Sequence, residues 1–399
     1  MLHRIKSLFT QQVCPYCFEK FRLKQAGFRC SSPKCKGRDV DPVLREKWNL
    51  REEVGKVLPS PGGWPRSTRC DHQGCGQKTT RRICPHCHMG LPITIGLCPN
   101  LIFAVIGAKE AGKSHYIATL VEQLKNRVGP AMDLLVEPLD DYTINRYNKI
   151  FYNPLYKQGQ TIDFTRAGLV EAQLPLVYSL KQGGTDLRGR RIIRRSTTLV
   201  FFDTAGEDLE AEETMSVVNR YIALADGLII LLDPLQLPDV RAQLGMRPGD
   251  SPKLNTDTAE ILTRTTRLIR AVRDLPPDSI LSVPTALAFS KFDAVEKLSP
   301  DLQLHQTVDH RGGFDRGDFQ AINDEMQSLL SSWDRGGEGL LSQVRQSFRR
   351  VGYFGISALG GAPQGTRVSR VLPRRVADPF LWLLYEHGFI KAKGSSNGG

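Results

Sequence analysis

After Cys98 the chain contains no cysteine at all; its nine cysteines all fall between Cys14 and Cys98. Disulfide stapling is therefore excluded for the remaining three quarters of the chain, which an ordinary apolar core must hold together. Long hydrophobic runs are missing as well. The longest, around Leu228 to Leu232, is stopped by Asp226 and Asp233, far short of the roughly 20 apolar residues that a membrane span needs. No membrane insertion is expected. The stretch from Met1 to Cys17 starts basic but lacks an apolar centre and a small-residue cleavage site, so a secretory signal is not expected and a cytoplasmic location is. Acidic residues are scarce in one place only. Residues 1–100 hold 18 Lys and Arg against 7 Asp and Glu, leaving 36 against 35 in the other 299, so that +11 of the formal +12 sits in the first quarter.

What is present is enough for two or three domains: 399 residues, 40% of them apolar and 24% charged, a composition that is globular and neither membrane-like nor disordered. The skews divide it into a basic cysteine-rich head over residues 1–98 and a nearly neutral body over 99–393. Insertions are expected near 134–170 and 236–257, and a disordered tail over 394–399.

In the head, Cys14-Pro-Tyr-Cys17 and Cys84-Pro-His-Cys87 are C-x2-C knuckles, and between them lie the C-x4-C pairs Cys30 with Cys35 and Cys70 with Cys75. Two thiolates at knuckle spacing, with the backbone N–H groups between them, wrap a tetrahedral ion. Eight cysteines fill two four-thiolate sites, and reduced cytoplasmic thiols favour Zn2+ over disulfides. The simplest pairing is local, giving two zinc-ribbon-like sites at about 10–40 and 66–92; a nested pairing, knuckle with knuckle, is the alternative. Neither small module would fold without its ion. His72, His86 and His88 are expected at the surface, and Cys98 as an inert buried thiol. The clustered Lys and Arg allow nucleic acid as a partner, but the head offers few aromatics for base stacking. Two Zn2+ on eight thiolates would also lower the head's charge to about +7.

In the body, the apolar run Leu101–Ile106 leads into Gly107, Ala108, Lys109, Glu110, Ala111, Gly112, Lys113, Ser114 and His115. This is G-x-x-x-x-G-K-[ST] between a strand and an amphipathic helix. The glycines let backbone N–H groups curl round a phosphate at the helix N-terminus, Lys113 reaches the β- and γ-phosphates, and Ser114 ligates Mg2+. A second strand, Thr197 to Phe202, ends in Asp203-Thr-Ala-Gly206-Glu207-Asp208. There Asp203 can hold the Mg2+ shell and Gly206 can offer its N–H to the γ-phosphate. Further apolar runs at Leu228–Leu232, Thr285–Phe289 and Val351–Ile356 alternate with amphipathic stretches, which predicts a mainly parallel α/β sheet with flanking helices. Such sheets bind ligands at the strands' C-terminal ends, where these motifs fall. Arg188, Arg190, Arg191, Arg194 and Arg195 around a short apolar pair predict a basic hairpin tip, and Asp378-Pro379 opens a final helix.

Two strand ends remain, Ser290-Lys291-Phe292-Asp293 and Ser357-Ala358-Leu359. With the earlier motifs they resemble the [NT]-K-x-D and S-A-[KL] motifs of TRAFAC-class P-loop GTPases, over roughly residues 100–391. The resemblance implies that Asp293 accepts from guanine N1–H and its amine, that Lys291 covers the base, and that the Ala358 N–H meets O6. Ser290 stands where Asn or Thr is usual. Glu207 stands where small GTPases usually carry a water-orienting glutamine, which implies slow hydrolysis. Between Thr161 and Thr165, Thr165 is preferred as the second protein ligand to Mg2+. With its zinc-binding head the layout is similar to the bacterial double-GTPases, which implies a GTP/GDP switch in signalling or defence, acting through an unidentified protein partner or activating protein. The alternatives are a nucleotide-dependent adaptor with little hydrolysis and a nucleotide-gated nucleic-acid binder.

Overall fold

A computed structural model describes residues 11–394 except 62–66, 97, 99, 109, 163–173, 187, 203–216, 248–257, 299–301, 303, 305–307 and 334–336. Its centre is a seven-stranded sheet formed by β1 (Asn100–Gly107), β2 (Leu134–Pro138), β3 (Leu176–Thr185), β4 (Arg191–Phe201), β5 (Gly227–Leu232), β6 (Thr285–Phe289) and β7 (Val351–Gly355). The spatial order is β2-β3-β4-β1-β5-β6-β7. From β4 to β7 every pairing is parallel; β3 runs antiparallel to β4, and β2 antiparallel to β3. The apolar runs expected to be strands all are. β2, on the edge, carried no comparable signal, because Leu135 and Pro138 interrupt a short half-exposed stretch.

Every residue of β5 and β6 is buried, as strands covered on both faces must be. Alternation within them sorts the core into two layers. Ile102, Ala104, Ile106, Leu228, Ile230 and Leu287 face one layer, while Phe103, Val105, Ile229, Leu231 and Ala286 face the other. Helix α1 (Lys113–Asn126) and helix α6 (Asp378–Glu386) cover the second layer, the latter through Phe380, Leu381, Leu383 and Leu384. The first is covered by α2 (Val217–Ala223), α3 (Thr258–Val272), α4 (Arg316–Ser332) and α5 (Gly337–Ser347). Tyr147, Phe151, Tyr152 and Tyr156 lie on one wide-turned helix, Tyr147–Lys157, in which Tyr147 and Phe151 stack and the Tyr147 hydroxyl donates to the Ala118 carbonyl at 3.0 Å. Those rings are packing, held against α1.

The head is built from two-residue and three-residue strands. Gly27–Arg29 sits at the centre of a three-stranded sheet, with Val57–Leu58 on one side and Arg82–Ile83 on the other. That pairing draws the two ends of the head together. It also presses the first knuckle onto the body: Phe18, fully buried, packs on Phe202 and Tyr221 with centroids 6.2 and 5.2 Å away. Arg220 on α2 donates to the Cys17 carbonyl at 3.2 Å and pairs with Glu19, and Asn100 donates to the Val13 carbonyl. Residues 395–399, most of the tail expected to be disordered, lie outside the described residues.

Candidate nucleotide site and metal clusters

Four strand ends are level along one edge of the sheet. Gly107 pairs with Leu231, Leu232 with Phe289, and Phe289 with Gly355. The turns that follow β1, β5, β6 and β7 therefore rise side by side, and they carry Gly107–Ser114, Asp233, Ser290–Asp293 and Ser357–Leu359.

The loop after β1 has backbone that explains its glycines. Gly112 has φ +87°, in the left-handed region that an L side chain adopts only with strain. A Cβ on Gly107 would lie 2.7 Å from the Leu231 carbonyl oxygen and 3.1 Å from Ala111 Cβ, so only glycine lets β1 turn so close to β5. Glu110 also takes positive φ, +63°. The Lys113 ammonium is buried and donates to the carbonyls of Gly107 and Ala108 at 2.8 and 3.0 Å. A cation folded back over its own loop, at a helix N-terminus, is suited to an anion. Lys109 lies outside the described residues.

His115 follows the loop, and its ring Nε2 accepts the Ile162 N–H at 3.1 Å. Burial, helped by the nearby Lys291 charge, pushes its pKa down to about 4, so at neutral pH the ring stays an acceptor. Thr161, next to it, donates its N–H to the Thr366 carbonyl at 2.8 Å. Thr165, Asp203, Gly206, Glu207 and Asp208 lie outside the described residues.

At the ends of β6 and β7 the side chains engage one another. Ser290 is buried, and its hydroxyl donates to the Leu232 carbonyl at 3.2 Å. Lys291, with φ +52°, reaches back so that Nζ meets Asp233 Oδ2 at 2.7 Å. The Ser357 hydroxyl donates to Asp293 and accepts the Gly360 N–H at 2.8 Å. Asp293 thus has one oxygen fixed by a serine from the neighbouring strand end. Asp233 is the residue that sequence reasoning missed. It was legible as an acid ending a strand before proline, but its partner lies 58 positions away and becomes visible only through the β5–β6 pairing.

The cysteines form two groups, each with all four sulfurs within 4.8 Å of one another: Cys14, Cys17, Cys84 and Cys87, and Cys30, Cys35, Cys70 and Cys75. The simplest local pairing is corrected to the nested one. Its cause is the three-stranded head sheet, which sets the strand before Cys30 beside the strand before Cys84 and so closes knuckle on knuckle. Sulfur separations of 3.7, 3.8, 3.8 and 3.9 Å between facing cysteines match the roughly 3.8 Å edge of a tetrahedron with ~2.3 Å metal–sulfur bonds. Backbone N–H groups of Tyr16 and His86 point at the Cys14 and Cys84 sulfurs. Each group can hold a tetrahedral metal ion. Among the described residues no histidine joins either group, and Cys98 is half-buried outside both. His88 is not the free surface residue expected: its Nδ1 meets Asp41, which also binds Arg29 Nη2 at 2.6 Å and caps the helix Pro42–Trp48. Burial alone would raise the Asp41 pKa; the bonds from Arg29 and His88 outweigh it and bring it below the usual carboxylate range.

Fold and site together define a mixed α/β protein with a central, mostly parallel sheet, a glycine-lysine loop at its first parallel strand, and two four-cysteine clusters. No protein-family profile matches the chain. It is 30% identical over 409 residues to SaeC of Mycolicibacterium smegmatis (strain ATCC 700084 / mc(2)155), named as a candidate ESX-1 scaffolding and assembly protein, with 94% of this chain and 99% of that protein covered. The chain belongs to the SaeC family. Among solved structures it is similar to the Arl6 BBS3 small GTPase of Trypanosoma brucei, at 12% identity and TM-score 0.29, covering 73% of this chain and 98% of that one. A second is the GTP-bound Ski7 GTPase-like domain of S. cerevisiae, at 13% identity and TM-score 0.30, covering 75% and 52%. Among the described residues no helix is long and apolar enough to cross a membrane.

Proposed function

We propose that this protein is a zinc-bound, guanine-nucleotide-dependent switch that hydrolyses GTP slowly and serves as an assembly scaffold. The observation that carries the nucleotide reading is the level edge of the sheet, which sets a phosphate-type loop, an Asp293 braced by Ser357 and a Lys291 braced by Asp233 on neighbouring turns. Guanine presents two donors to a carboxylate where adenine presents none, so adenine would leave Asp293 unpaired. Lys113 would exchange its two loop carbonyls for the β- and γ-phosphates, aided by the N–H groups from Gly107 to Ser114. Mg2+ would be held by the Ser114 hydroxyl together with Asp203 and Thr165, and it would neutralise phosphate charge. Gly206 would offer its N–H to the γ-phosphate. Glu207, a carboxylate near that phosphate, accepts from water but repels the developing charge, which supports a low intrinsic rate. The stem of Lys291 would cover the base, and the Ala358 N–H, in the turn that also carries Ser357 and Leu359, would meet guanine O6.

The two four-cysteine groups are read as structural Zn2+ sites. Their closed four-sulfur sets leave no open position for chemistry. The relative's name supports an assembly role over the signalling or defence role that the double-GTPase resemblance implies. Scaffolding also favours the second reading, an adaptor that binds GTP and barely turns it over. Direct titration with GTP and ATP tests the base assignment, and equal affinities would refute it. Single-turnover phosphate release then separates switch from adaptor: a measurable rate that falls on Lys113→Ala supports the switch, and none at all supports the adaptor.

A further inference from the structure

The hairpin that joins β3 to β4 runs beyond the rest of the sheet. β2 stops pairing at Leu134, opposite Gln182, and β1 pairs with β4 only from Thr198 onward. Past those points, among the described residues, no third strand pairs with Gly183–Thr185 or Arg191–Ile193, although the Gly183 N–H still donates to the Asp133 carbonyl at 2.8 Å. Every residue from Arg191 to Arg195 is exposed, including Ile192 at 42% and Ile193 at 60%. Successive strand residues face opposite ways, so each face of the ribbon carries an uncovered isoleucine. Opposite them stand Gly184 and Gly183, which bring no side chain of their own; the Arg194 side chain lies over Gly184 and donates to the Thr185 carbonyl at 3.0 Å. Arg188, Arg190, Arg191 and Arg194 lie beside the pair in sequence. Arg190 meets Asp186 and Arg191 meets Asp133, yet their side chains remain 69% and 89% exposed.

We propose that this tip docks on an anionic membrane surface, with Ile192 and Ile193 settling among the headgroups and the arginines binding lipid phosphates. A protein partner lying flat on the ribbon would cover one face and leave the other isoleucine in water. An interface met end-on covers both. Guanidinium groups suit phosphate because their paired N–H groups bind two oxygens at once. Charge and a small apolar contribution together give the two signals that reversible attachment requires. This is contact with a surface, and it needs no spanning segment.

The test is flotation of the full-length protein with vesicles of phosphatidylcholine alone or mixed with phosphatidylglycerol. Binding to the mixed vesicles only is expected. It should weaken about tenfold or more in the Arg188→Glu, Arg191→Glu, Arg194→Glu triple variant, and by about tenfold in Ile192→Ser, Ile193→Ser, with thermal midpoints unchanged. Equal binding to both vesicle types, or to neither, would overturn the proposal. So would isoleucine variants that bind like the parent, or a DNA duplex bound more tightly than the anionic vesicles. Ile193→Trp gives an independent readout: brominated lipid should quench its fluorescence in anionic vesicles, and no added quenching over the parent protein would also count against the idea.

Discussion

The two cysteine clusters occupy one head of fewer than a hundred residues, yet they are anchored differently. Cys14, Cys17, Cys84 and Cys87 belong to the same continuous core as β1, β5 and α2. Among the described residues, Cys30, Cys35 and Cys70 share a small core with Phe28 and Leu58, and Cys75 is partly exposed. One cluster is a joint between head and body; the other is a clasp within the head. The body has an apolar layer on each face of its sheet. A module too small to bury a core uses metal–thiolate bonds instead, and where it docks decides how far the loss of a ligand is felt.

The largest expected effect breaks this difference directly. Cys84→Ser should release one Zn2+ per chain and unseat the head from the body, lowering the body's thermal midpoint. Cys75→Ser should release one Zn2+ while leaving that midpoint nearly unchanged; equal effects of the two variants would remove the distinction. Apparent metal contributions in small zinc modules are about 10 kcal/mol or more, so the loss should be evident by metal analysis and limited proteolysis. Next is Phe18→Ala, which keeps both clusters but empties the contact with Phe202 and Tyr221. A loss of about 3–5 kcal/mol in denaturant unfolding is expected, with zinc content unchanged.

In the body, Asp293→Asn should cost about 1.5–3 kcal/mol of GTP affinity and shift preference towards xanthosine nucleotides, whose extra carbonyl an amide can meet. Calorimetric titration showing no such shift would remove Asp293 from base reading. The smallest effect concerns pH. His115 is held near pKa 4, below its ordinary value of 6.5, so the unfolded chain binds the extra proton between these values. Stability from this residue is complete above about pH 6.5 and is lost as pH falls towards 4, by about 1–2 kcal/mol after allowance for its partial exposure. His115→Gln should flatten that part of the profile.

The sheet was readable because its strands are buried on both faces and so appear as continuous apolar runs, from Leu101–Ile106 to Val351–Ile356. The turn from β1 into α1 was readable because its pattern is contained in a short run of consecutive residues, Gly107 to Ser114. β2 was not, since an edge strand half-exposed beside β3 has no distinctive pattern. Nor were Asp233 as the partner of Lys291 and the bond from Ser357 to Asp293, which span 58 and 64 positions. His88 was misplaced for the same reason: its bond to Asp41 spans 47 positions.

Composition and spacing were enough to establish that the first hundred residues are basic, that eight cysteines serve two sites, and that a parallel sheet carries its motifs at strand ends. These are local properties, encoded in short-range patterns and periodicity. Which cysteines share a site, and which of the two clusters rests on the body, was settled by the folded chain. Both choices follow from the pairing of Gly27–Arg29 with Arg82–Ile83 and from the seating of Phe18 on Tyr221. Contacts over such separations are selected by the collective burial of many side chains, and no spacing along the chain records them.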